Sequence, residues 1–244
     1  MSPSFKRILL VEDNDDMQSF LQRSLSENYY VFMASNGQEG WDIVQNVKPD
    51  LVISDIMMPK MNGDELCSKI KSDINISHIP VILLTALNDK DNIIRGLRTG
   101  ADEYITKPFD ISILKATIIT ILANREALKN RFAQLDIKNN DEYINGASEL
   151  DREFMTKVKE IIERSLQDSN FNVDILCSAI NMSRSSFYNK IKVLTDQAPA
   201  DFIRSIKLTR AAELLRSKRY NISEVADMTG FSDAKYFREV FKKH

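Results

Sequence analysis

Five short strand-like runs alternate with helical patterns over the first 125 residues, and few folds can satisfy that rhythm. The runs are 6–11, 29–34, 51–55, 80–85 and 102–106. Between them, apolar residues recur at helical spacing, most plainly at Met17, Phe20, Leu21 and Leu25. Further helices are predicted over 37–47, 63–70 and 89–98, with another opening at Asp110. Short runs rich in β-branched residues and lacking polar alternation read as strands buried on both faces. Strand and helix in strict alternation predict an α/β, doubly wound, five-stranded parallel sheet with helices on both sides.

The strand ends carry the chemistry. The first run ends in Glu12 and Asp13, the third in Asp55, the fourth in Thr85 and the fifth at Lys107. In a parallel sheet these positions converge on the carboxyl edge, where open α/β folds bind ligands. Three clustered acids repel one another and call for a divalent cation. A small set of oxygen donors suits Mg²⁺ better than zinc. Lys107 offers a fixed positive charge able to hold a phosphoryl oxygen, and Thr85 a hydroxyl able to bond the same group. A metal-dependent phosphatase also uses a strand-end Asp, but its general acid is usually an Asp two residues further on. Here that position is Met57, which argues against small-molecule turnover.

The remaining composition narrows the setting. The net charge of −2 hides an uneven distribution. Residues 1–146 carry 16 Lys/Arg against 21 Asp/Glu, and residues 171–244 carry 13 against 8. The acidic front suits a metal; the basic back suits phosphate backbones. Two cysteines, Cys67 and Cys177, give no disulfide framework or zinc spacing. No apolar run approaches the ~18 residues of a membrane span, and a signal-peptide core is lacking. The expectation is a cytoplasmic chain that makes no membrane contact.

The segments Asp55-Ile-Met-Met-Pro59, Gly100-Ala-Asp-Glu-Tyr104 and Lys107-Pro-Phe109, with the acidic pair after the first strand, stand in a familiar order. They resemble a response-regulator receiver domain of flavodoxin-like fold, over residues 1–125. The resemblance implies that Asp55 is the phosphoacceptor, supplied by a histidine kinase. It implies Mg²⁺ held by Asp13, Asp55 and the Met57 carbonyl, with Glu12 acting through water. Thr85 and Tyr104 are then the switch pair, and Lys107 contacts Asp55 or its phosphoryl group. The Lys107–Pro108 bond is a candidate cis peptide.

Residues 126–149 are expected to form a helical connector and linker. Leu114, Ile118, Ile121, Leu128, Phe132 and Leu135 fall at heptad spacing if Arg125 counts as a seam position. Two readings stand: receiver core with an amphipathic tail, or a helix that pairs with its copy in a homodimer when phosphorylated. Polar residues 136–149 read as the linker, and Leu150, Phe154, Val158, Ile161 and Leu166 as one face of a further helix.

The last stretch repeats itself at an offset of 49: 173–179 matches 222–228, Asn181-Met-Ser183 matches Gly230-Phe-Ser232, and Phe187-Tyr188 matches Tyr236-Phe237. Each copy reads as a helix, a tight turn and a second helix capped by Ser183 or Ser232, a helix-turn-helix. A helix from Pro199 to about Ser217 joins them and spans ~28 Å, commensurate with successive major grooves about 34 Å apart. The stretch 222–243 resembles AraC-type DNA-binding domains, a resemblance covering 150–244 as an all-α domain with two helix-turn-helix motifs. Candidate contacts to double-stranded DNA are Arg184, Ser185, Ser186, Asn189 and Lys190 in the first motif, with Asp233, Lys235 and Arg238 in the second. Arg184 and Asn189 suit base edges; Lys190 suits phosphate. Phe187, Tyr188, Tyr236, Phe237 and Phe241 are expected in the core.

That family continues past this point with a Gly-x-x-Pro turn and a final helix, so the second domain is expected to be truncated. A receiver joined to an AraC-type domain resembles the carboxyl-terminal part of a hybrid two-component sensor-regulator, which would make this the cytoplasmic end of a membrane-bound protein. The function implied is a phosphorylation-gated transcription regulator, not an enzyme beyond self-catalysed phosphotransfer. The alternative is a phospho-dependent protein-interaction module whose DNA binding is lost through truncation.

Overall fold

The computed structural model describes residues 5–86, 100–133 and 147–242. The chain divides into two compact units, Met1–Glu126 and Ala127–His244. In the first, strands β1 (Lys6–Val11), β2 (Tyr29–Ala34), β3 (Leu51–Asp55), β4 (Val81–Ala86) and β5 (Glu103–Lys107) form one all-parallel sheet in the order β2-β1-β3-β4-β5. Helices α1 (Asp15–Leu25), α2 (Gly37–Val47) and α3 (Gly63–Ser72) connect them, and α4 (Ile111–Ala133) follows β5. The expected helix over 89–98 lies outside the described residues.

The two-residue period of each strand sorts its side chains between two cores. Leu9, Val11, Val52, Val81 and Leu83 enter one, with Val44, Leu66, Cys67 and Ile70 from α2 and α3. Ile8, Leu10, Leu51, Ile53, Ile82 and Leu84 enter the other, with Leu21, Leu25, Leu114 and Ile118 from α1 and α4. The alternation explains why unbroken apolar runs were needed. Helix starts are fixed by side-chain caps: Asn14 accepts from the Met17 amide, Asn36 from Glu39, and Asn62 forms a reciprocal capping box with Glu65.

The amino edge of the sheet is held by one acid. Asp102 accepts from Lys71 Nζ at 2.6 Å, from the Val81 amide at 2.9 Å and from Arg125 Nη2 at 2.8 Å. Three elements, α3, β4 and α4, are thus tied to one carboxylate. Of the two readings of this helix, the contact is the one the core reading expects: the Arg125 guanidinium is drawn to the first unit by a carboxylate the heptad count ignored. Leu114 and Ile118 are likewise receiver core, while Leu135 lies outside the described residues. Asp102→Ala removes three charge-assisted bonds at a largely buried site. We expect a loss of about 2–3 kcal/mol, read by urea unfolding through Trp41, the chain's single tryptophan. A loss below about 0.5 kcal/mol, the range of ordinary surface substitutions, would show the hub to be ornamental.

In the second unit, described by itself, α5 (Glu149–Arg164) precedes two helix pairs. These are α6 (Val173–Ile180) with α7 (Arg184–Thr195), and α9 (Ile222–Met228) with α10 (Ala234–Phe241), joined by α8 (Pro199–Arg216). Both tight turns need left-handed backbone: Asn181 has φ 59 and Gly230 φ 67. Asn172, Ser183, Asn221 and Asp233 cap the four short helices. The second cap differs from the expected Ser232 by one residue, because the Asp233 carboxylate reaches the Lys235 amide at 2.8 Å. Among the described residues no helix is long and apolar enough to cross a membrane.

Candidate phosphoacceptor site and the helix-turn-helix unit

β1 and β3 lie side by side where the strand order reverses, so their carboxyl ends open a crevice between them. Val11 pairs with Ser54, which sets Glu12 and Asp13 beside Asp55. One carboxylate oxygen from each of the three lies within 4.8 Å of the others. Lys107 reaches in from the end of β5 and bonds Glu12 Oε2 at 2.8 Å and Asp55 Oδ2 at 3.0 Å. The other Asp55 oxygen accepts from the Ile56 amide at 2.8 Å. The site opens into a cavity of about 500 Å³, also lined by Asn14, Asp16, Met17 and Phe20.

Burial raises the Glu12 carboxyl above its ordinary pKa, against the hydrogen bond and charge of Lys107. Burial works against the Lys107 ammonium too, but hydrogen bonds and charges from Glu12 and Asp55 outweigh it, so its pKa is raised. A buried acid whose ionised form is disfavoured gains from a further cation. Three hard oxygen donors therefore fit a divalent metal of the Mg²⁺ type.

Other expected members stand apart. Thr85 is buried at the end of β4, its hydroxyl bonded only loosely to Ala86 O at 3.4 Å. Tyr104 packs against the first core. Neither lines the cavity. Met57, two residues past Asp55, is 69% exposed. The Lys107–Pro108 peptide is cis. Asp16, Met17 and Phe20 went unread as site residues, although Asp13, Asp16, Met17 and Phe20 share helical spacing on the face that follows β1.

In the second unit, Arg184, Ser185 and Asn189 are exposed on α7, and Asp233, Lys235 and Arg238 at α10. Ser186 is half-buried and engaged by Ser183, whose hydroxyl donates to it at 2.9 Å. Arg184 pairs with Asp174 at 3.2 Å. Lys190 is not a DNA contact: its side chain is fully buried in an ion pair with Asp151 of α5. Helical position counts a lysine as outward, but α5 covers that face and supplies the counter-charge. Tyr188 and Tyr236 also depart from expectation, at 46% and 47% exposed, while Phe187 and Phe237 are core.

A doubly wound sheet with an acidic triad and a bridging lysine at its switch point defines a receiver-type domain, and the helical unit defines a tandem helix-turn-helix. Residues 8–119 match the response regulator receiver domain, and residues 176–244 match a helix-turn-helix domain. The chain thus joins a response-regulator receiver domain to an AraC-type helix-turn-helix domain. It is 39% identical over 236 residues to "Histidine kinase P4" of Formosa agariphila, covering 97% of this chain but 17% of that protein. It is 43% identical over 117 residues to "Response regulator ArlR" of Staphylococcus aureus, covering 48% of this chain and 52% of that one. Among solved structures, the receiver domain of a signal transduction histidine kinase from Syntrophus aciditrophicus is 38% identical, with TM-score 0.47, over 49% of this chain and 91% of that one.

Proposed function

We propose that the chain is a phosphorylation-gated DNA-binding transcription regulator, with Asp55 accepting a phosphoryl group from the phosphohistidine of a histidine kinase. The observation that carries this is the Lys107 amine bridging Glu12 and Asp55 inside an acidic triad. An Asp55 carboxylate oxygen attacks phosphorus, the donor's N–P bond breaks, and the imidazole leaves. Lys107, already 3.0 Å from Asp55, neutralises charge gathering on the phosphoryl oxygens. Asp13 and Asp55, with the Met57 carbonyl, would hold Mg²⁺, with Glu12 acting through water; the ion would supply the remaining positive charge.

The product carries about −1.5 to −2 added charge. Thr85 gives up only a 3.4 Å hydrogen bond by turning towards it. Tyr104 then follows inward, and the changed surface favours a homodimer that sets two pairs of reading heads on DNA. Arg184, Ser185, Asn189, Asp233, Lys235 and Arg238 face the duplex. The chain acts as an acceptor, not a turnover enzyme, and works in the cytoplasm beside its donor and DNA. It spans 17% of the length of its Formosa relative, and the same reading serves a regulator that is one end of a larger sensor.

Asp55→Asn is expected to retain the unphosphorylated level of DNA binding and to show no gain on treatment with acetyl phosphate. A gain equal to that of the unaltered chain would sink the reading.

A further inference from the structure

The second unit holds a cavity of about 300 Å³ lined by Ala200, Ile203, Arg204 and Lys207 of α8 and by Gly230, Phe231, Ser232 and Tyr236 of the second helix-turn-helix. Lys207 is 7% exposed. Among the described residues its ammonium has one hydrogen-bond partner, the Gly230 carbonyl at 3.3 Å, and no carboxylate at ion-pair distance. Burial lowers its pKa, and the more distant charge of Asp168 only partly opposes this. An ammonium has three donors, and a carbonyl satisfies one. A buried cation without a counter-ion is costly, and a chain retains that cost more readily where a ligand relieves it.

The cavity is shaped for such a ligand. A Cβ at Gly230 would stand 2.3 Å from the Leu166 carbonyl oxygen, 2.9 Å from Lys207 Nζ and 3.1 Å from the Asp168 carbonyl oxygen. Only glycine fits this close approach of backbone, which keeps the Gly230 carbonyl and the Lys207 ammonium together at the cavity wall. Arg204 adds a second cation at the mouth, shared with its neighbour Asp201. Ser232 and the exposed Tyr236 bring hydroxyls, and Ala200, Ile203 and Phe231 make an apolar wall. One charged end beside hydroxyls and an apolar flank fits an oxyanion carried on a small organic body with both C–H and oxygen surface, as a phosphate is carried on deoxyribose.

We propose that this cavity is a phosphate site, with Lys207 as the principal cation and Arg204 as its support. The source the structure favours is the DNA backbone, because Ser232 lies just before the cap of the second reading helix and Tyr236 in its first turn, both exposed. A free phosphorylated small molecule has the same chemistry. The DNA source rests on the function proposed above; the phosphate site itself does not.

The test uses the full chain and two probes. On a mixed-sequence duplex, Lys207→Gln is expected to weaken binding uniformly and to lower the slope of log affinity against log salt by about one, with Lys207→Arg restoring it. Arg204→Gln, at a less buried position, is expected to move the slope the same way should Lys207→Gln fold poorly. In the absence of DNA, 2-deoxyribose 5-phosphate is expected to shift the Gly230 and Phe231 amide resonances saturably, and not in Lys207→Gln. Unchanged slopes with a saturable shift assign the site to a free phosphorylated molecule. If the unaltered chain binds no duplex at all, the proposed function fails, and the sugar phosphate alone decides the site. Unchanged slopes, or no DNA binding, together with no saturable shift overturn the proposal.

Discussion

Lys190→Met is expected to cost the second unit about 3–5 kcal/mol, the usual loss when one partner of a buried ion pair is removed. Both side chains of the Lys190–Asp151 pair are wholly shielded from water, so removing the ammonium leaves the Asp151 carboxylate buried without that counter-charge. The double change Asp151→Leu with Lys190→Met removes both charges and should recover most of the loss, since apolar replacements of buried pairs are often neutral or better. Amide hydrogen exchange along Glu149–Arg164 and Arg184–Thr195 reads both outcomes without assuming that the whole chain unfolds in one step. If the single change costs under about 1 kcal/mol, within the range of an exposed pair, the pair is not the clamp its burial indicates. The double change separates charge from volume, because a poor fit would leave it as unstable as the single one.

Gly63→Ala is expected to damage the phosphoacceptor edge as severely. A Cβ at Gly63 would lie 2.1 Å from the Asp55 carbonyl oxygen and 3.0 Å from the Ile56 Cα. Both are backbone atoms, so no rotamer relieves the clash. The turn is also closed by a 2.9 Å hydrogen bond from the Gly63 amide to Ile56 O. Either α3 lifts from the sheet or the end of β3 shifts, and Asp55 moves with it. The cost should approach the upper end of overpacking, about 3 kcal/mol, with urea unfolding through Trp41 as the readout. Phosphorylation by acetyl phosphate should fall together with stability. Stability and phosphorylation both at the level of the unaltered chain would show that the turn yields without disturbing β3.

What the sequence disclosed follows the range of the forces involved. Strand β1 matches the run 6–11 because burial on both faces from Ile8 onward leaves an unbroken apolar signal, while β2 matches 29–34 on its apolar residues although, at the sheet edge, it is largely half-buried or exposed. Asp55, Glu12, Asp13 and Lys107 were legible because each ends a strand, and parallel topology brings strand ends together. Lys190, Arg125 and Lys207 were not, because their fate depends on elements distant in the chain. Lys190 meets Asp151 across 39 residues, Arg125 meets Asp102 across 23, and Lys207 meets Gly230 across 23. Tyr188 and Tyr236 misled for the opposite reason. An aromatic pair at corresponding places in a repeat looks like core, yet at each place one member of the pair faces outward. Periodicity locates a helical face; it does not say what covers that face.

The Asp102 hub has a bearing on how such chains are assembled. Both receiver cores draw their side chains from residues no later than Leu122, and Arg125 is the last residue tied to Asp102. That tie falls one residue before the division between the two compact units at Glu126. Exchange of the output module after that point is therefore expected to leave the sheet, its acids and its lysine intact. The carboxylate at the edge of the sheet furthest from the chemistry thus marks where one interchangeable part ends and the next begins.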